Sequence, residues 1–557
     1  MWWKKPDPRV DRGIDDLSQR PIRLWGQFGL FLAVFAFFLG VQSREPPWND
    51  AKPIHAAAVN FAFHARVDAS PVATPPGKRG YAIHPFLASA IHVPGALVQR
   101  LVTVLLPAEA ESARIMCSHL GPSALAGLAA VLFLRLCLFL GLGFAASLAS
   151  SVVLVVATMV AVYARMPWSE MVQTVTFLGF FAALLRVLRD YRGYAVLVLG
   201  AWCGAMVNSK EVFVLALPGA FLLALWCHRR TLTGKDALKC VGKGLLGAAP
   251  FLAVQFAYNT IRTGSPFRTA YGQGAASFVF GGQTNDGFLG LFVSPGKGLF
   301  FYSPPLIFAV FGIPLILRRF RLWIIALAVT ATPILFVYGR FMFWSGDWCW
   351  GPRYLLFLVP PLLLPGVFLV DEAIKYRRSI VGALALAVAL LGLGVQVIGG
   401  CLYWDHYIRL EHDARTQWLG APNRTGNVSR PGMAAPCDPC FEDFYALNWL
   451  PVFSPLAGHH WMAKHIWRGD SWEVAEADAP WHQYTTLKLN TRSTYMRGRF
   501  DWWYLDFSKP KQHKYRLLHM LVYSAGLLLG VFLCWWGARR RRPAGESELT
   551  GLVVHNV

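Results

Sequence analysis

The chain has 557 residues, 55% of them hydrophobic and only 15% charged, with a mean hydropathy of +0.40. A water-soluble chain of this length divides into several domains with about a quarter of its residues charged. Here apolar runs of roughly 18 residues or more recur from end to end, the pattern of a polytopic membrane protein.

The formal net charge is +22, but the cations fall in short clusters between apolar runs. That distribution is what membrane topology produces, and it excludes a nucleic-acid partner as the reason for the charge.

The predicted elements are helices throughout. Residues 1–23 carry Lys4, Lys5, Arg9, Arg12, Arg20 and Arg23 and read as a cytoplasmic segment. They precede a first apolar run, 24–42, which lacks a small-residue cleavage site and reads as a retained anchor. A first outer loop, 43–116, follows. Within it Phe86–Leu106 is apolar but broken by His92, Pro94, Gln99 and Arg100, which suits a helix lying in the interface.

Further spans are expected near 117–139, 145–164, 170–188, 193–208, 211–227, 243–261, 298–317, 322–340, 354–370 and 379–400. A mixed extracytoplasmic segment follows at 401–515, then a last span at 516–537 and a cytoplasmic tail at 538–557. The fold class is thus an all-α polytopic membrane protein with about twelve spans.

Basic clusters then alternate onto one face: Arg186/Arg189/Arg192, Arg229/Arg230/Lys235/Lys239/Lys243, Arg318/Arg319/Arg321, Lys375/Arg377/Arg378 and Arg539–Arg542. Positive-inside topology makes that face cytoplasmic. The region 193–226 is read as a hairpin with Lys210 at its outer tip, because a single span there would put Arg189 and Arg229 on opposite sides.

The outer face carries the candidate chemistry. Asp50 lies just beyond the first span, where a carboxylate can act as general base on an acceptor arriving at the interface. Glu170 opens a span after the link Arg165-Met-Pro-Trp-Ser-Glu170; a carboxylate there also favours the helix dipole. Lys210, Lys297 and Arg353 each sit at the outer end of a span. Such cations can snorkel to the interface or clamp a phosphate.

The stretch Phe343–Pro365 holds Arg353 beside Trp344, Asp347, Trp348 and Trp350. Its charges at a bilayer edge call for a site or for an interfacial belt. In the tail, Cys437-Asp-Pro-Cys440 suggests a local disulfide in an oxidising compartment. No second pair of matching spacing supports zinc. Asn423 and Asn427 head N-x-[ST] triplets, which matter only in a glycosylating host.

The order of these features resembles the GT-C class of integral-membrane glycosyltransferases. Within it, the chain is similar to the polyprenyl-phosphate-sugar dependent families, which include the protein O-mannosyltransferases and the lipid A aminoarabinose transferase. The resemblance covers roughly residues 20–400. It rests on Asp50 in the first outer loop, Gly80-Tyr81-x-x-His84-Pro85, the Met-Pro-Trp-Ser-Glu170 link, Asn-Ser-Lys210, and Ser294-Pro-Gly-Lys297-Gly with Trp348-x-Trp-Gly-Pro-Arg353-Tyr.

Many members have two adjacent acidic residues where this chain has Asn49-Asp50. One carboxylate in place of a pair weakens the case for a divalent metal, which stays open as a cofactor, and no metal ligand is assigned.

The resemblance implies transfer of a sugar from a lipid-linked phosphate donor to an acceptor (glycan, lipid or protein) at the outer face, with inversion. It implies Asp50 as base, Glu170 as a second carboxylate, Arg353, Lys210 and Lys297 toward the phosphate, and Tyr81 and His84 lining the site. It also implies a bacterial inner membrane with the site facing the exterior. The main alternative is a transporter or lipid flippase, which would show midplane charges and a repeat between halves; neither is visible in the sequence. A second alternative, an envelope scaffold, leaves the outer carboxylates and cations without a role.

Overall fold

A computed structural model describes residues 24–43, 45–47, 50–105, 107, 110–191, 193–270, 284–341, 343–346, 349–419, 447–482, 500–501 and 513–539. Among these residues there is no strand.

The helices in chain order begin with α1 (Leu24–Gly40), α2 (Ala51–His64), α3 (Phe86–Ala90), α4 (Val93–Leu105), α5 (Ala110–Ser118), α6 (Leu120–Phe139), α7 (Phe144–Val156) and α8 (Val160–Tyr163). Next come α9 (Ser169–Arg189), α10 (Ala195–Val207), α11 (Ala216–His228), α12 (Gly234–Thr263), α13 (Thr284–Val293), α14 (Leu299–Tyr302), α15 (Pro305–Arg319) and α16 (Leu322–Arg340). The series ends with α17 (Val359–Lys375), α18 (Ser379–Cys401), α19 (Trp404–Leu419), α20 (Pro455–Arg468), α21 (Trp472–Ala477) and α22 (His513–Arg539). Short 3₁₀ turns at Glu211–Leu215 and Arg353–Leu358 lead into α11 and α17.

Nine helical stretches among the described residues are long and apolar enough to cross a membrane. The chain is an all-α integral membrane protein. Three of the expected spans take shorter form, as the apolar helices α1, α7 and α10. The expected span at 298–317 is broken into α14 and α15 at Ser303-Pro304, since proline cannot continue the hydrogen-bond ladder of the preceding turn.

Conversely, Phe86–Leu105, expected in the interface, meets the criterion for a span. It is bent between α3 and α4 at Ile91-His92, ahead of Pro94, and packs on α2 and α5. The hairpin at 193–226 is present, with α10 and α11 meeting at Asn208–Lys210.

The spans pack through small residues, as helices in lipid do when no water drives them together. A methyl on Gly200 would overlap the Gly244 carbonyl, which holds α10 against α12. Gly29 and Gly530 bring α1 and α22 together in the same way, so the first and last spans are partners.

At the hub is α9, buried along nearly its whole length and contacting α6, α10, α11 and the Arg353 turn. At about 1.5 Å per residue it separates Glu170 from Arg189 by roughly 30 Å, a bilayer core. The basic clusters at Arg189, Arg229, Arg319 and Lys375 stand at span ends on one side, and Glu170, Lys210 and Arg353 stand at the opposite ends.

Candidate active site

Three separate turns deliver charge to one point. Asp50 immediately precedes α2 but does not cap it; its side chain turns to Arg353. The rigid Met166-Pro167-Trp168 link, closed by a Trp168 amide to Met166 carbonyl bond of 2.8 Å, sets Trp168 and Glu170. The Gly-Pro turn at 351–352 sends Arg353 inward at the start of its 3₁₀ turn. Gly346 adopts φ +72°, a left-handed conformation, and a Cβ there would press on the Arg353 stem at 2.8 Å. Glycine at 346 therefore lets the guanidinium lie flat in the site.

The Arg353 Nη1 donates to Asp50 Oδ2 at 2.7 Å and lies 3.7 Å from Glu170 Oε1. The guanidinium carbon stands 5.0 Å from the Trp168 ring centre and 5.1 Å from that of Tyr354. The Asp50 side chain is 38% exposed, against 2% for Glu170. Asp50 is thus reachable from outside, whereas Glu170 is enclosed.

Burial raises the affinity of Asp50 for its proton, but the charges of Arg353, His84 and Lys210 outweigh it and hold the group at about 2. It is an anion throughout the neutral range.

Lys210 also lies against Tyr354. Its ammonium lies 4.7 Å from the Tyr354 ring centre and 5.4 Å from that of Tyr338, and those two rings stack 4.8 Å apart. Among the described residues this ammonium, on a residue only 8% exposed, makes no hydrogen bond or ion pair. Burial lowers the Lys210 pKa, and the charges of Glu170 and Asp50 partly counter that. A buried cation held only by ring faces is a ready partner for an anion.

His84 belongs to the same group. It is buried, couples electrostatically to Asp50, Lys210 and Arg353, and burial lowers it to about 4, so it is neutral at pH 7. Its Nδ1 has no hydrogen-bond partner among the described residues.

Two expected members stand elsewhere. Tyr81 packs edge-on against Tyr258 at 6.4 Å, in the layer that positions the His84 loop. Lys297 is fully buried, and its Nζ donates to the Cys349 carbonyl at 2.7 Å and lies 3.2 Å from the Cys349 Sγ. Its ammonium ties the 294–298 turn to the loop before Arg353 and is not presented at the mouth. Asp347 and Trp348 of the Trp-rich stretch, and Cys437 and Cys440 with their expected disulfide, lie outside the described residues.

Residues to which the sequence assigned no role complete the arrangement. Trp168, Tyr338 and Tyr354 form the aromatic floor. Arg262 donates through Nη1 to the carbonyls of Ala82, Ile83 and His84 and pairs with Glu211 at 2.9 Å, fixing the His84 loop to the end of α12. Nothing local marks Arg262, because its partners lie in a loop far upstream. Tyr354 is the one with a usable signal, adjacency to Arg353.

Among the described residues no group of three or more His, Cys, Asp or Glu side chains is placed to hold a metal ion. The Arg353 guanidinium instead occupies the space between the two carboxylates.

No protein-family model matches the chain, and no curated protein matches it in sequence. Among solved structures it is similar to the archaeal oligosaccharyltransferase AglB from Archaeoglobus fulgidus, solved in complex with an inhibitory peptide and a dolichol-phosphate. The TM-score is 0.38 at 12% identity, covering 72% of this chain and 58% of that one. The chain therefore spans less than two thirds of that neighbour's length, and a likeness of this degree is too distant to establish shared chemistry.

Proposed function

We propose that the protein is a GT-C type glycosyltransferase that moves a sugar from a polyprenyl-phosphate donor to an acceptor hydroxyl at the membrane face opposite its basic clusters. The observation that carries this reading is the outer cluster itself. A partly exposed carboxylate, Asp50, is joined to Arg353 beside a buried Lys210 ammonium that makes no ion pair among the described residues, at the rim of a lipid-embedded bundle.

In the proposed step the acceptor oxygen attacks the anomeric carbon from the face opposite the phosphate. The bond from that carbon to the phosphate oxygen breaks, and polyprenyl phosphate leaves with the electron pair. The acceptor proton passes to Asp50 and the anomeric configuration inverts. A phosphate needs no general acid to leave, unlike the alkoxide of a glycoside, so one base can suffice.

Arg353 and Lys210 flank the place for the phosphate and stabilise its charge as the bond breaks. A phosphate that engages Arg353 dilutes its pairing with Asp50 and makes that carboxylate a better base when the donor is in place. Glu170 holds the guanidinium from behind, and neutral His84 offers a hydrogen bond to sugar or acceptor.

With two cations already at the phosphate, the step has no need of a divalent metal, and chelators are expected to leave the rate unchanged. The acceptor is a glycan, lipid or protein, and the site faces the exterior of a bacterial inner membrane. A transporter or flippase reading fits less well, because the charges gather at the span ends and not near midplane.

The test is to incubate the purified protein with polyprenyl-phosphate sugars and candidate acceptors and to measure released polyprenyl phosphate. Release that requires Asp50 supports the reading. Release by Asp50→Asn at the wild-type rate contradicts the base assignment.

A further inference from the structure

The tail beyond α18 reads in sequence as a separate extracytoplasmic segment, yet it contacts the 294–298 turn and residues that lead into each of the three turns that build the site. The Gly296 amide donates to the Asn448 carbonyl at 2.9 Å, beside Lys297. The His459 ring lies 4.9 Å from that of Trp350, three residues before Arg353. The third contact is polar, buried and the most extensive. Ser43 Oγ donates to Asp501 Oδ1 at 2.7 Å, and Arg165 Nη2 donates to the Asp501 carbonyl at 3.0 Å and to Oδ2 at 3.3 Å. The Asp501 amide in turn donates to the Cys401 carbonyl at 2.7 Å.

Arg165 also donates through Nε to the Val41 carbonyl and through Nη1 to the Gly400 carbonyl. Its guanidinium thus joins the exit of α1, the end of α18 and the tail. Arg165, Asp501 and Ser43 are all buried. Two of the strands of chain that meet here lead directly into the site. Residues after Ser43 run to Asp50, and residues after Arg165 run through Pro167 to Trp168 and Glu170.

We infer that Asp501 is a positioning residue for the transfer site: through Ser43 and Arg165 it sets the Asp50 and Glu170 approaches to Arg353. The inference rests on the function proposed above. Asp501 touches no substrate. It acts by pairing with a buried guanidinium, a contact that is costly to break, and by fixing the origin of both approaches. Since reacting groups misplaced by about 1 Å lose on the order of 10²-fold in rate, a small rotation of either approach is enough to be measured.

The test compares the full chain, purified in detergent or nanodiscs, as wild type, Asp501→Asn, Asp501→Glu and Ser43→Ala. Two quantities are read: backbone amide exchange by mass spectrometry, and the kinetics of polyprenyl phosphate release. Asp501→Asn is expected to speed exchange in 41–52 and 165–170 and to lower kcat roughly 10- to 100-fold. The KM for the donor should stay within about twofold, because the Arg353 and Lys210 contacts persist.

Asp501→Glu keeps the charge and recovers part of kcat. Ser43→Ala, the milder change, affects 41–52 alone and serves if the Asn variant fails to fold. As a control, Lys464→Ala removes the Lys464–Asp478 pair of the same tail and leaves both readouts at wild-type values.

Unchanged exchange in both approaches overturns the inference, and so does faster exchange with unaltered kcat per folded molecule. A wild type that releases no polyprenyl phosphate from any donor defeats the proposed function instead, while the exchange arm still decides whether Asp501 couples the two approaches.

Discussion

The two ends of the bundle both carry cations, and they hold them differently. At the basic end Lys375 pairs with Asp371 one turn away and stays 47% exposed, and Arg319 pairs with Glu372 while 46% exposed. The cationic ends of these pairs reach solvent, which screens them. At the other end the Arg353 side chain is only 11% exposed, Lys210 is 8% exposed and Lys297 is fully buried. Burying a cation at a membrane edge costs free energy that topology does not require. Exposed cations at span ends need no further reason and buried ones do, although both look alike in the sequence as cations at span ends.

That contrast can be broken by substitution, and the expected effects fall in order. Asp50→Asn should fold normally and lose transfer by about 10²- to 10⁴-fold, as removal of a general base does; single-turnover release of polyprenyl phosphate measures it. Arg353→Ala should weaken the donor by roughly 10- to 100-fold, the loss of a charge-assisted contact of about 1.5–3 kcal/mol. It should also lower thermal stability, because Glu170 is left buried without its partner. Arg353→Lys restores the charge but not the planar fork, so stability should recover further than donor affinity.

Lys210→Met should raise the donor KM about tenfold with little effect on folding, since the site loses one point charge and Met still fills the ring-lined slot. If donor binding is indifferent to Lys210, the phosphate does not lie between the two cations. At the basic end, Lys375→Ala should leave donor KM and kcat unchanged.

A smaller effect concerns pH. His84 takes up its proton at about 4 when folded, against 6.5 for the ordinary side chain, because burial disfavours the charged form. Unfolding therefore binds a proton between those values. The contribution of His84 is complete above about pH 6.5 and is lost as pH falls toward 4, at about 1.4 kcal/mol per unit. His84→Gln should flatten that part of the Tm–pH curve. His55, lowered to about 4 by burial, leaves a residual slope of the same sign.

Much of the fold is legible in the sequence because hydropathy and charge placement are one-dimensional signals. The spans, the hairpin at Lys210 and the single basic face follow from them. The broken helices do not, because Pro304 and Pro94 set their geometry through backbone hydrogen bonds that a hydropathy window ignores.

In the site, Asp50, Glu170, Arg353, Lys210 and His84 are brought together from five separate stretches, which the order of motifs anticipates. Lys297 stands apart from the expected phosphate group, because in sequence an outer-end lysine cannot be told from one whose ammonium is bonded to a carbonyl across the fold, here that of Cys349. Arg262 and the Arg165–Asp501 junction gave no signal at all, since their partners lie far apart along the chain.

Asp50 is the proposed base of a lipid-phosphate-dependent transfer. The most direct measurement is release of polyprenyl phosphate from a panel of polyprenyl-phosphate sugars by wild type and Asp50→Asn, each confirmed folded. The expected result is release by the wild type from at least one donor, undiminished by EDTA, and none above background from the variant. Equal release by both proteins, or none by the wild type from any donor while it carries a lipid across a vesicle membrane, would contradict it.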